Sequence, residues 1–143
     1  MSNSSASGQT PVKRLILIID NHPLVRRGLT ALIDNEPDLS VCAEAATCRE
    51  GLEAIAASRP DLVITDLSFG EGDGLAMVKD IRSRYQDLPV LVLTMHDAPV
   101  YARRAFRAGA SGYVTKQEMS EKVVIAIRRV LNGERYESPK TKA

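Results

Sequence analysis

Residues 61–75 read DLVITDLSFGEGDGL, and this stretch decides the fold. Leu62, Val63 and Ile64 are apolar on both faces of an extended chain, as a strand covered on two sides requires. The run 62–65 ends on a carboxylate, Asp66. Gly72 and Gly74 follow, and then Leu75, Val78 and Ile81 repeat at helical spacing. A buried strand that stops at a charged or polar residue delivers that group to the carboxyl edge of a sheet. The same device recurs: residues 15–19 end on Asp20, 90–93 on Thr94 and 112–115 on Lys116. In open parallel α/β sheets, ligands and chemistry sit at that edge.

Strand-like segments begin near residues 15, 40, 62, 90 and 112, each followed by a helical pattern. Five βα units in a row predict a doubly wound parallel sheet with helices on both faces. The segments at 15, 62 and 90 are the most apolar and are expected in the centre. The segment at 40 carries Glu44, and the last one opens on Ser111 and Gly112, so both are expected at edges. Right-handed crossovers then favour the strand order 2-1-3-4-5, with the switch point beside Asp20 and Asp66. Helix signals agree. Pro23 suits a first turn, and Thr47 with Glu50 forms a capping box. Pro60 stops the second helix near Ser58. Asp97 and Ser120 are expected to cap the last two helices, and Gly109 and Gly133 to end them.

Composition narrows the function classes. The chain has 143 residues with 19 Lys and Arg against 18 Asp and Glu, a net charge of +1. One domain with one core suits that length, and the near-neutral balance offers no field for nucleic acid. Aromatic residues make up 4%, and no basic stripe is interleaved with them, which argues against direct nucleic-acid binding by this segment. No apolar run approaches the roughly 20 residues needed to span a bilayer. Residues 1–12 are rich in Ser and other small polar residues and read as a disordered tail. Cys42 and Cys48 match no metal or redox spacing, and Cys42 is expected as a buried thiol. With no secretion signal, a cytoplasmic protein is expected.

The edge residues specify a chemistry. Asp20, Asn21 and Asp66 converge there, and clustered carboxylates favour a hard cation such as Mg²⁺. Lys116 brings a positive charge from the far side, with the Thr94 hydroxyl between. An anion held between metal and ammonium fits a phosphoryl group. A carboxylate in such a place is itself a nucleophile, and Asp66 sits most centrally.

The chain resembles a response-regulator receiver domain, CheY-like in fold, of the NarL/FixJ (LuxR-type) family of transcriptional regulators. The resemblance rests on IIDNHPLVRRGL (18–29), DLVITDLSFGEGDGL (61–75), PVLVLTMHD (89–97), AGASGYVTK (108–116) and NGERYESP (132–139). It covers residues 13–137. It implies that Asp66 accepts a phosphoryl group from a sensor histidine kinase. Asp20, position 21, Asp66 and the backbone carbonyl of Ser68 would hold Mg²⁺. Thr94 would follow the phosphoryl group, Tyr113 would change rotamer with it, and Lys116 would pair with its oxygens. Ser68 and His96 stand at positions that tune phosphoryl lifetime. The chain would be regulatory, catalysing only its own phosphorylation and dephosphorylation. Residues 138–143 would begin a linker to a helix-turn-helix domain outside this chain, through which DNA is bound. A homodimer on phosphorylation is a further implication.

Two departures from the family pattern stand out. Asn21 replaces an acid that is normally a direct metal ligand. Losing that charge should weaken Mg²⁺ on the order of ten- to hundredfold. After Asp66, Phe69 and Gly70 replace a Met-Pro pair, which with Gly72 and Gly74 is expected to loosen the loop; Glu71 is a minor candidate for a substitute acid. His22 reads as a turn residue. Arg103, Arg104 and Arg107 read as a solvated face or a partner contact, and Arg26, Arg27, Arg128 and Arg129 as solvated. Competing functions are a phosphorylation-independent interaction module, supported by Asn21, and a small enzyme. A flavin carrier lacks its Ser/Thr/Gly phosphate loop, because residues 21–23 are Asn-His-Pro. A phosphatase of this fold lacks its second acid, because Ser68 stands there.

Overall fold

Strand β1 (Arg14–Ile19) runs between β2 (Leu39–Ala45) and β3 (Leu62–Thr65), all parallel. A computed structural model describes residues 12–69 and 72–142. Beyond β3 lie β4 (Val90–Thr94) and β5 (Gly112–Thr115), again parallel. The helices are α1 (Pro23–Asp34), α2 (Cys48–Ser58), α3 (Gly74–Arg84), α4 (Pro99–Ala108) and α5 (Met119–Leu131). The expected order 2-1-3-4-5 is observed, with one addition: β6 (Tyr136–Glu137) pairs in parallel with β5. The fifth strand is therefore covered and is not the edge that its sequence suggested.

Alternation along the strands splits the interior into two layers. Leu17 and Ile19 of β1 face α2, α3 and α4, packing with Ile55, Val78, Ile81 and Ala105. Ile16 and Ile18 face the other way, onto Leu29 and Ile33 of α1 and Val123 and Ile127 of α5. Both layers are closed to water. Covering both faces leaves the strand ends accessible between the helices, and this is what places polar chemistry there.

Local signals held in part. Thr47 Oγ1 accepts from the Glu50 backbone N–H at 3.1 Å, and the Glu50 carboxylate reaches back to the N–H of Ala46 at 3.1 Å. That return bond lands one residue earlier than the ordinary box. Gly109 closes α4 in the left-handed region, at φ 115°. Asp97 does not cap α4; Ala98 occupies the N-cap, with Pro99 setting the first turn. Ser120 does not cap α5, because a 3₁₀ turn, Lys116–Glu118, runs directly into Met119. Cys42 is only half-buried, its Sγ donating to the Ile16 carbonyl at 3.5 Å.

The loop after Asp66 is tied at its ends. Ser68–Phe69 pairs with Gly72–Asp73 in a two-residue antiparallel ladder. A Cβ on Gly74 would stand 2.4 Å from the Leu67 backbone, so glycine there permits close approach. Gly74 thus serves close packing at this end of the loop, while the expected loosening centres on Gly70, outside the described residues. Glu71 and Gly70 lie outside the described residues, as do residues 1–11 of the expected tail. At the other end, packing runs on past Glu137: Ser138 and Thr141 are fully buried.

Candidate functional site

Strand register brings the site together. Ile19 lies opposite Thr65, so Asp20 and Asp66 leave neighbouring strand ends side by side. The ladder continues past the strands, with Asp20 N–H on the Ala45 carbonyl at 2.9 Å and Asp66 N–H on Ile19 at 3.1 Å. Thr94 lies opposite Thr115, which places Lys116 beyond it. Both carboxylates are 2% exposed, and the Lys116 side chain is 7% exposed.

Two buried carboxylates repel unless a cation divides them. Lys116 Nζ does so, at 2.9 Å from Asp20 Oδ2 and 2.8 Å from Asp66 Oδ2. Each remaining oxygen is held by backbone N–H groups. Asp66 Oδ1 accepts from Leu67 at 2.6 Å and Ser68 at 3.3 Å. Asp20 Oδ1 accepts from His22 N–H at 2.8 Å. His22 does more than support the turn. Its Nδ1 lies 2.8 Å from Asp20 Oδ1, 3.2 Å from Lys116 Nζ and 4.0 Å from Asp66 Oδ2. Protonated, Nδ1 donates to Asp20; unprotonated, it accepts from Lys116. Sequence reading missed this, because the contact depends on a ring folding back two residues. Arg26 also serves the site, donating to the Asp20 carbonyl at 2.6 Å while its guanidinium pairs with Glu44 at 3.2 Å.

The expected switch residues sit deeper. Thr94 is fully buried, and among the described residues its Oγ1 is the one buried side-chain oxygen without a hydrogen-bond partner. Tyr113 is fully buried and donates to the His96 carbonyl at 2.6 Å. Burial, reinforced by the charge of Asp66, pushes its phenol well above the ordinary range. The His96 ring stacks on Tyr101 with centroids 4.4 Å apart, and its Nε2 meets Ser68 Oγ at 2.9 Å. That bond joins the loops after β3 and β4. Asn21, by contrast, is exposed.

The donors suit a hard divalent cation. Asp20, His22 and Asp66 each offer an atom within 4.8 Å of the others. Carboxylate oxygens are the donors that Mg²⁺ prefers. The unpaired Thr94 hydroxyl leaves a donor for an oxyanion, which the buried charges alone do not require.

A family profile described as response regulator receiver domain matches residues 16–128. The chain belongs to the response regulator receiver family. This receiver is similar to the oxygen regulatory protein NreC of Staphylococcus epidermidis, at 35% identity over 122 residues, 85% of this chain and 56% of that protein. It is similar to the DNA-binding transcriptional activator DevR/DosR of Mycobacterium tuberculosis, at 35% over 118 residues, 82% of this chain and 54% of that one. The crystal structure of a two-component response regulator of the LuxR family from an Aurantimonas species matches with a TM-score of 0.86 and 37% identity, covering 90% of this chain and 92% of that chain. These relatives place the receiver in the NarL/LuxR type. It spans about half the length of the curated relatives it matches. No helix among the described residues is long and apolar enough to cross a membrane.

Proposed function

We propose that this receiver accepts a phosphoryl group on Asp66 from a sensor histidine kinase in the cytoplasm and thereby switches a DNA-binding transcriptional output carried outside residues 1–143. The observation that carries the reading is the buried, unpartnered hydroxyl of Thr94. A buried hydroxyl without a partner is costly, and a phosphoryl oxygen at the neighbouring strand end would supply one. A DNA-binding output and a homodimer formed on phosphorylation are part of this reading, and the NarL/LuxR relationship supports them.

In the transfer, Asp66 Oδ2 forms the new P–O bond as the P–N bond to the donor histidine breaks and the imidazole leaves. Leu67 and Ser68 N–H groups hold the other carboxylate oxygen and so fix the attacking one. Lys116 is already in contact with Oδ2 and neutralises the incoming oxygens. Mg²⁺, held by Asp20, Asp66 and the Ser68 carbonyl with Asn21 as a neutral donor, would add charge neutralisation. Thr94 donates to a phosphoryl oxygen, and Tyr113, already inside, reports its movement through the His96 carbonyl.

A second reading, an interaction module that needs no phosphate, has one observation in its favour. Every carboxylate oxygen of Asp20 and Asp66 already has a partner within the chain. Incubation with acetyl phosphate and Mg²⁺ separates the two. A mass gain of one phosphoryl group, absent in Asp66→Asn, supports acceptance; an unchanged mass in the wild type favours the module.

A further inference from the structure

We propose that Glu118 is a positioning residue that couples the turn bearing Lys116 to residues 136–141, so that occupancy of Asp66 changes how firmly that segment is held. The inference rests on the phosphoacceptor reading for its physiological trigger, though not for its geometry.

Lys116 opens the 3₁₀ turn Lys116–Glu118. The Glu118 carboxylate fastens both ends of this region. Its Oε1 accepts from Thr115 Oγ1 at 2.7 Å and from the hydroxyl of Ser138. Ser138 is fully buried, and its backbone N–H donates to the Tyr113 carbonyl at 2.8 Å. Both attachments of Ser138 therefore end on residues adjoining the site: Tyr113, whose side chain is bonded to His96, and Glu118, at the end of the turn that Lys116 begins. The rest of the segment has its own attachments: the Tyr136 N–H donates to the Ser111 carbonyl at 3.1 Å, and Glu137 lies opposite Tyr113. Tyr136 pairs with Gly112 and lies 5.7 Å beneath the Arg129 guanidinium. Thr141 bonds back to Ser138 through its N–H at 3.1 Å and its Oγ1 at 3.0 Å. A further bond runs from Thr141 Oγ1 to the Glu137 carboxylate at 3.2 Å, so residues 137, 138 and 141 are tied to one another.

The coupling follows from what Lys116 does. Its ammonium is held by Asp20 and Asp66 together. A new anionic group on Asp66 redistributes those bonds and draws on the turn. With Glu118 in place, the pull reaches Ser138 within two residues of backbone; without it, the Ser138 hydroxyl loses its carboxylate, and the Ser138 N–H bond to the Tyr113 carbonyl is what remains between Ser138 and the body of the domain. By reciprocity, the state of the segment must bear on the site to the same degree.

Amide hydrogen exchange on the whole chain tests this, with beryllium fluoride and Mg²⁺ as the phosphoryl mimic. In the wild type, exchange at residues 137–141 should change at least about fivefold on loading, the low end of ordinary coupling between sites. In Glu118→Ala and in Ser138→Ala that change should fall away, while amides of Leu67 and Ser68 still respond. Persistence of the change in both variants overturns the proposal. So does its absence in a wild type whose Leu67 and Ser68 amides respond. If those amides do not respond either, the phosphoacceptor reading is what fails. The coupling is then judged by Lys116→Met without any mimic. Exchange at 137–141 must differ from the wild type, and the difference must vanish in the Glu118→Ala background; no difference overturns it.

Discussion

The chain forms the same kind of contact, carboxylate to cation, at two places with opposite character. At the carboxyl edge, Lys116 joins Asp20 and Asp66 in near-complete burial. On the far side of the molecule, Arg128 joins Glu36 at 2.6 Å and Asp38 at 2.9 Å, with the Arg128 and Asp38 side chains 44% and 46% exposed. Distances alone do not distinguish them. Solvent does: exposed pairs are screened and contribute little, whereas buried charges lose their hydration and depend on their partner. A fold gains little stability from burying two acids and a lysine at one edge, so the buried set is the one that points to function.

The largest effect should come from Lys116→Met. It leaves two buried carboxylates uncompensated and should lower metal-free stability by about 3 kcal/mol in urea unfolding. Mg²⁺ should restore part of that loss, since a cation can stand between the acids. A loss no greater than that of Arg128→Ala would break the comparison. Next is Asn21→Asp, which adds an acid beside the pair. Mg²⁺ binding, read by calorimetry, should tighten on the order of ten- to hundredfold; unchanged affinity would show that position 21 is not a donor.

A smaller effect is expected at Thr94. Thr94→Val exchanges an unpartnered buried hydroxyl for a methyl, and the unphosphorylated chain should gain about 1 kcal/mol. A loss of similar size would mean that the hydroxyl has a partner. The smallest belongs to the exposed pair. Arg128 holds the Asp38 carboxyl below its ordinary value of 3.8. A depressed folded value gives stability that is present above the ordinary value and is lost as pH falls through the lowered one. Arg128→Ala should therefore shift the urea midpoint slightly at neutral pH, and the difference from wild type should close below the ordinary value. A large shift at neutral pH would place this pair with the buried set.

The sequence showed the five-strand order because three strands are apolar on both faces and the helices between them carry clear periodicity. It missed β6, since two residues, Tyr136–Glu137, are too short for any period and gain their place only by pairing with Gly112 and Tyr113. The expected caps at Asp97 and Ser120 failed for a local reason: Pro99 and the turn after Lys116 start those helices by backbone geometry instead. Asp20, Asp66, Thr94 and Lys116 were legible because each ends a strand. His22, Arg26 and Glu118 were not, because each reaches its target through a side-chain path that spacing does not encode. The loop after Asp66 shows the limit of reading glycine as freedom, since Gly74 is there for contact with Leu67.

The central claim is that the buried charges exist to place a phosphoryl group on one oxygen of Asp66. Phosphorylation by acetyl phosphate with Mg²⁺, followed by borohydride reduction and peptide mapping, tests it most directly. Reduction of an acyl phosphate at Asp66, and its loss in Asp66→Asn, is the predicted result. An unreduced Asp66, or a label mapped to another residue, would contradict it.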